Sequence, residues 1–221
     1  MEKINVLDHG FVRLVDHMGS DLSVVRAARV SYDAAWRAGE DQGSDKRLIN
    51  YLWKNSHTTP FESVQFTFEV KAPIFVFRQW HRHRTFSYNE LSARYRELPE
   101  EIYMPDFRKQ SLNNKQGSDG EFGSYELEIL KNLFERSYRK SFEVYKHALD
   151  MGVARELARS VLPVATYSHM FCSVNLLNLL KFLTLRCDFH AQYEIRVYAD
   201  AMLELIRPIV PECVGAWEAK Q

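Results

Sequence analysis

Chemistry-bearing side chains are densest between Arg78 and Tyr95, where Arg78, Arg82, Arg84 and Arg94 are interleaved with His81, His83, Glu90 and Ser92 behind an apolar run. Guanidinium groups offer a fixed fork of donors suited to phosphate, and a carboxylate with a hydroxyl beside it can discriminate ring or sugar groups. A planar, anionic, hydrogen-bond-rich ligand is therefore the occupant such a cluster suits, with phosphate its first contact. The competing reading is a solvated basic face laced with Glu97, Glu100 and Glu101. Flanking segments that read as regular and buried weigh against an exposed tail.

Those flanking segments must position the cluster. Val64-Gln-Phe-Thr-Phe-Glu-Val70 alternates apolar with polar, which puts Val64, Phe66, Phe68 and Val70 on one face of a half-buried strand. Pro73 suits the first turn of a following helix, on which Arg78 and Gln79 fall four and three residues before Arg82. Beyond Arg84 the β-formers return. An extended Tyr88 to Tyr95 would turn Glu90, Ser92 and Arg94 to one face.

The 221 residues suit a single domain, 1–221, with room for a real core. Lys plus Arg and Asp plus Glu number 29 each, so general affinity for nucleic acid or a membrane surface is not expected. With no run of about 18 apolar residues and no signal-peptide pattern at Met1, a cytoplasmic protein is expected. Cys172, Cys187 and Cys213 are odd in number and far apart, which reads as reduced, mostly buried thiols.

Elsewhere, Ile4 to Leu7 and Phe11 to Val15 read as strands around the turn Asp8-His-Gly10, and Asp21 or Ser23 can cap a helix through about Tyr32 with Ser31 at its end. Residues 34–44 read as a loop, and 45–55 as a helix with Leu48, Tyr51 and Leu52 inward. In His57-Thr-Thr-Pro-Phe-Glu62, the residues Thr59, Pro60 and Glu62 have the spacing of a capping box. The polar stretch 106–123 reads as a mobile loop, either a lid or simply disordered. A long amphipathic helix through Leu127, Leu130, Phe134, Phe142, Tyr145 and Leu149 follows, and a shorter one from Ala154 to Leu162 carries Arg155 and Arg159 on one side.

Ala165 to Val174 reads as another strand, so strands and helices do not alternate as in a dinucleotide-binding fold, and the class expected is α+β. No glycine-rich phosphate fingerprint is present, so a nucleotide would be held by side chains. Asn175 to Arg186 spans about three turns of apolar helix, which stacks its two polar ends on one face roughly 16 Å apart. A final helix places Ala191, Ile195, Tyr198, Met202 and Leu205 at helical spacing, a seam for the core or for a subunit contact.

Arg82-His-Arg84 followed by Ser-Tyr-Asn-Glu-Leu-Ser-Ala-Arg-Tyr95 resembles the signature of the flavin-dependent thymidylate synthases. Further pieces that match are Val25 to Ser31, His57 to Glu62, Ala72 to Trp80, Ala158 to Pro163, Asn175, and Leu185 to Ile195, so the resemblance covers nearly the whole chain. It implies a central, mostly antiparallel sheet flanked by helices, and a homotetramer with flavin sites where subunits meet. The implied reaction is reductive methylation of dUMP to dTMP, with methylenetetrahydrofolate as carbon donor, NADPH as reductant and FAD as hydride carrier. By position it assigns Gln79, Glu90, Leu91, Ser92, Ala93, Arg94, Arg159 and Arg186 to dUMP. It assigns Ser31, Thr59, Arg82, His83, Arg84, Thr85, Glu90, Asn175, Leu177 and Lys181 to FAD. Three positions depart from the family pattern: Ala93 stands where Gly is frequent, Leu177 where Arg is frequent, and Lys181 where a polar Asn or His is expected.

Residue chemistry agrees with that reading. A uracil ring becomes nucleophilic at C5 when charge on its N3 and carbonyl edge is stabilised, which a buried permanent cation such as Arg186 can do, with Ser92 positioning and polarising rather than attacking. No cysteine nucleophile and no metal is called for. Two alternatives come from other classes: a nucleotide- or RNA-binding module stacking bases on Trp80, Phe86, Tyr88 and Tyr95, and a metal hydrolase built on His81 and His83.

Overall fold

The computed structural model describes residues 3–220. Its strands are β1 (Lys3–Val6), β2 (Gly10–Met18), β3 (Gln65–Pro73), β4 (Ser87–Glu90), β5 (Arg108–Gln110), β6 (Ser118–Glu121) and β7 (Tyr167–Asn175). Eight α-helices are described: α1 (Asp21–Arg29), α2 (Gln42–Lys54), α3 (Ile74–Trp80), α4 (Ser124–Asp150), α5 (Arg155–Ala158), α6 (Leu176–Arg186), α7 (Tyr193–Ile206) and α8 (Pro211–Glu218). Five strands form one sheet in the order β1-β2-β3-β7-β4, antiparallel at every pairing, which is the α+β arrangement expected.

The alternation in β3 sets the register. Phe66, Phe68 and Val70 face Val174, Cys172 and Met170 of β7, and all six are buried on the side covered by helices. Helix α6 is apolar nearly all round and buries Leu176, Leu177, Leu179, Leu180, Phe182 and Leu183, as a helix inside a core must. At the end of α3, Trp80 stacks on Phe182 with ring centroids 5.1 Å apart and meets Tyr198 of α7 edge-on at 6.1 Å. These three rings tie α3, α6 and α7 together, and burying each large side chain is worth roughly 2–3 kcal/mol. The C-termini of α3 and α6 are thereby held beside each other.

Several local expectations are corrected. Ser20 precedes α1 and the Ser23 hydroxyl helps cap it by accepting from Ser20 N at 3.1 Å, whereas the Asp21 carboxylate accepts from the backbone N–H groups of Glu212 and Cys213, capping α8. Helix α2 begins three residues earlier than expected because Asp41 accepts from Ser44 N, and Tyr51 turns outward while Ile49 takes the core position. Thr59–Ser63 is a single 3-10 turn with no side-chain cap, so the capping box does not form: the chain must straighten into β3 two residues later. Strand β4 stops at Glu90, and Ser92 and Arg94 lie in a tight turn closed by Tyr95 N donating to Ser92 O, so the row with Glu90 is broken. Residues 106–123 contain the two-stranded ribbon β5-β6 rather than a structureless loop. The seam of α7 is core, with Ile195, Tyr198, Met202 and Leu205 buried, and α8 follows it as a further helix.

Candidate active site

Arg186 ends α6 and reaches back to the end of α3. Its Nε donates to His83 Nε2 at 3.0 Å, and Nη2 donates to the Gln79 carbonyl at 3.3 Å, while Nη1 bonds no group among the described residues. Half of the guanidinium fork is thus fixed by protein and half is open to a ligand. Burial pushes the Arg186 pKa down from its usual value, although a guanidinium stays protonated. His83 is held down to about 4, first by burial and then by the Arg186 charge, so it is neutral at pH 7 and can accept the Arg186 bond. The His83 ring packs edge-on against Phe182 at 4.8 Å, and Tyr88 Oη donates to the His83 carbonyl at 2.8 Å.

Glu90, at the end of β4, accepts from Ser168 Oγ at 2.7 Å, and Leu91 N donates to His169 O, which anchors the start of the following turn. Within that turn Arg94 N donates to Ser92 Oγ at 3.3 Å, and the small Ala93 is buried. The Arg94 side chain pairs with Glu156 at 3.0 Å, and Arg159 Nε donates to the Glu156 carbonyl at 3.4 Å. Two guanidinium groups from distant segments therefore meet at one residue of α5, a layout suited to a dianionic phosphate that would compete with Glu156 for Arg94.

Ser31 and Thr59 share a different groove of about 480 Å³, walled also by Tyr32, Tyr51 and His57, none of which comes from residues 78–95 or α6. Arg82, Arg84 and Thr85 are exposed and their side chains bond no other described residue. The Asn175 side chain caps α6 by accepting from Asn178 N at 2.9 Å. Leu177 is buried in the core, and Lys181 is exposed.

The geometry in hand has guanidinium, imidazole and amide groups converging at the ends of α3 and α6. A family model described as "Thymidylate synthase complementing protein" matches residues 13–212. The chain belongs to the flavin-dependent thymidylate synthases. It is 48% identical over 208 residues to the flavin-dependent thymidylate synthase of Pseudothermotoga lettingae, covering 94% of this chain and 90% of that one. To the enzyme of Thermosipho africanus it is 47% identical over 219 residues, covering 97% and 92%. Among solved structures, the UMP/dUMP methylase PolB from Streptomyces cacaoi bound with 5-Br dUMP superposes with a TM-score of 0.89 at 38% identity, covering 98% of this chain and 97% of that one.

Membership in the flavin-dependent thymidylate synthases fits the fold and removes the alternatives that competed in the sequence. The stacking platform fails because Trp80 and Phe86 are buried in the core. His81 and His83 take different partners, His81 against Tyr88 and His83 against Arg186, so they do not form a ligand pair. Sequence reasoning missed a second cluster beside the first. Gln79 Nε2 donates to Gln192 Oε1 at 2.5 Å, Gln192 Nε2 donates to Glu194 Oε2 at 2.8 Å, and Glu194 Oε1 accepts from Arg108 Nη2 at 2.7 Å and Tyr103 Oη at 3.1 Å. Tyr103, Arg108, Gln192 and Glu194 wall a cleft of about 840 Å³ between the β5-β6 ribbon and the start of α7. The available signal was that Gln192 and Glu194 both fall in the Leu185 to Ile195 stretch that resembles the family, although no role followed from it there; a carboxylate at the start of the helix must find donors if buried.

Proposed function

We propose that the chain catalyses reductive methylation of dUMP to dTMP, with FAD bound where subunits of a homotetramer meet, methylenetetrahydrofolate as carbon donor and NADPH as reductant. The observation that carries this reading is the half-open fork of Arg186, fixed by neutral His83 and by the Gln79 carbonyl. A permanent cation held in this way can stabilise charge on a uracil carbonyl as C5 becomes nucleophilic, with no reorganisation at the moment of reaction. Arg94 and Arg159 meeting at Glu156, with Ser92 in the adjoining turn, supply the phosphate end.

The donor set fits a flavin dinucleotide. Arg82 and Arg84 are exposed cations with no partner among the described residues and can neutralise a diphosphate, and the groove of Ser31 and Thr59 adds hydroxyls beside exposed aromatic rings, Tyr32 and Tyr51. Asn175, Glu90, Thr85 and Lys181 complete the set by position, whereas Leu177 is buried in the core and His83 is turned toward Arg186 in the single chain. When bound, the flavin supplies the hydride chemistry that side chains cannot.

Thiol catalysis has no foothold. Burial raises the Cys172 and Cys187 thiols to about 12, and Cys213 is pushed upward by burial and by Asp21. Attack on a pyrimidine through a thiolate would need the opposite shift. No described helix is long and apolar enough to cross a membrane.

The direct test is dTMP formation from dUMP by flavin-loaded protein with methylenetetrahydrofolate and NADPH, alongside UMP as substrate and a flavin-free control. Flavin-dependent dTMP formation supports the reading. Turnover of UMP in preference to dUMP would assign the chain a ribonucleotide instead, and no methylation of either would reject the proposal.

A further inference from the structure

Glu194 is almost completely buried at the start of α7 and is an acceptor only when ionised. Burial favours its neutral form, but hydrogen bonds from Arg108 and Gln192 outweigh this and hold its carboxyl below the usual range. A carboxylate can take only a donor from Gln192. The Gln192 amide must therefore turn its NH2 toward Glu194, as it does at 2.8 Å, and its oxygen away. That oxygen in turn can take only a donor, and it receives Nε2 of Gln79 at 2.5 Å. Each amide has a donor end and an acceptor end, so the charge on Glu194 sets the direction of the whole chain of bonds. The backbone of Gln192 is fixed as well, because its carbonyl accepts from Ile195 N and Arg196 N at the start of α7. What remains is Gln79 Oε1, which accepts from no described group, on the same residue whose backbone carbonyl accepts from Nη2 of Arg186.

We propose that Gln192 and Glu194 are positioning residues that hold the Gln79 amide with its oxygen outward, so that Gln79 and Arg186 together select a pyrimidine whose ring nitrogen carries a proton. Arg186 offers donors and Gln79 offers an acceptor, which complements the adjacent C=O and N–H of uracil. Cytosine presents an amino group and a bare ring nitrogen at the same edge, reversing both. A site that bonds an N–H discriminates against an analogue lacking it, because its acceptor is left facing a bare nitrogen lone pair. This inference rests on the dUMP reading above, since it presupposes a pyrimidine nucleotide against Gln79 and Arg186.

The test uses flavin-loaded protein and calorimetric Kd values for dUMP and dCMP in the wild type and in Gln192→Met, which keeps the length of the side chain and removes both amide ends. Gln192 is exposed to the cleft but donates to buried Glu194, so its replacement should lower the melting temperature modestly while leaving the flavin spectrum unchanged. The expected result is a dCMP-to-dUMP Kd ratio reduced about tenfold, the effect of losing the net contribution of one hydrogen bond. Glu194→Gln, which frees the direction of the chain while keeping its shape, should reduce the ratio in the same sense. An unchanged ratio in Gln192→Met, with dUMP still bound, overturns the relay and leaves the function standing. Wild-type protein that binds neither nucleotide overturns the function, and the relay with it.

Discussion

Arg186 Nε donates to the unprotonated Nε2 of His83 at 3.0 Å, so the cation that faces the ligand is aimed by a histidine that must stay neutral. A protonated His83 would have no lone pair for Arg186 and would set two like charges against each other.

Acid should therefore disarm the site. His83 is held down to about 4 in the folded protein against an ordinary value of 6.5, so between these pH values the unfolded chain binds a proton that the folded chain refuses. Stability then rises with pH across that window and is lost as pH falls through it. Melting temperatures from pH 7 to 4.5 should fall more steeply in the wild type than in His83→Gln, whose side chain can still accept from Arg186 without titrating. Parallel curves would show that His83 does not carry the effect.

Joint replacement of Cys172, Cys187 and Cys213 by Ala should leave dTMP formation largely intact, since burial keeps all three thiols protonated. Loss of turnover in a triple variant that melts normally and holds flavin would revive a thiol mechanism.

The β5-β6 ribbon is tied down chiefly through Arg108, which bonds Glu194 at 2.7 Å and lies 5.2 Å from the Tyr193 ring centre. Amide exchange across 107–121 should be fast in the free protein and slow on adding dUMP or folate. Arg108→Ala should speed it further in every state. Identical exchange in all states would make the ribbon a passive appendage.

Gly10 begins β2 where a Cβ would come within 2.0 Å of the Tyr198 hydroxyl and 2.7 Å of the Val6 carbonyl. Gly10→Ala should destabilise the fold by about 1–3 kcal/mol, the usual cost of overpacking, read from denaturant midpoints at unchanged slope. A neutral substitution would mean that β1 and α7 can move apart at little cost.

What could be read from the sequence follows from how strongly each element is patterned. The alternation of Phe66, Phe68 and Val70 and the apolar run of α6 each admit one solution, because burial on one face or all round dictates the element. Ribbon strand β6 is exposed at every residue, so it had no hydrophobic period to show, and α8 has only eight residues between α7 and the end of the chain. Asp21 was readable as a cap but not as the cap of a helix some 190 residues away. Trp80 and Phe86 illustrate the limit for the site: an aromatic beside arginines can stack on a base or fill a core, and spacing cannot distinguish them. Gln79, His83 and Arg186 were given roles by resemblance, whereas Gln192 and Glu194 lay in a matching stretch but took on a role only through contacts that the folded chain creates.

The central claim is that Arg186 stabilises charge on the pyrimidine during flavin-dependent methylation, and it is tested by dTMP formation in Arg186→Lys and Arg186→Ala. Lysine keeps the charge but loses the second arm of the fork, and alanine loses both. Since removing one preorganised donor to developing charge costs on the order of 10²-fold in rate, both variants should be slow and alanine the slower. Bleaching of the flavin by NADPH, followed anaerobically in the same preparations, should stay close to the wild-type rate, because that half-reaction does not involve the uracil ring. Near-normal dTMP turnover in Arg186→Ala would contradict the claim and make Arg186 a structural partner of His83.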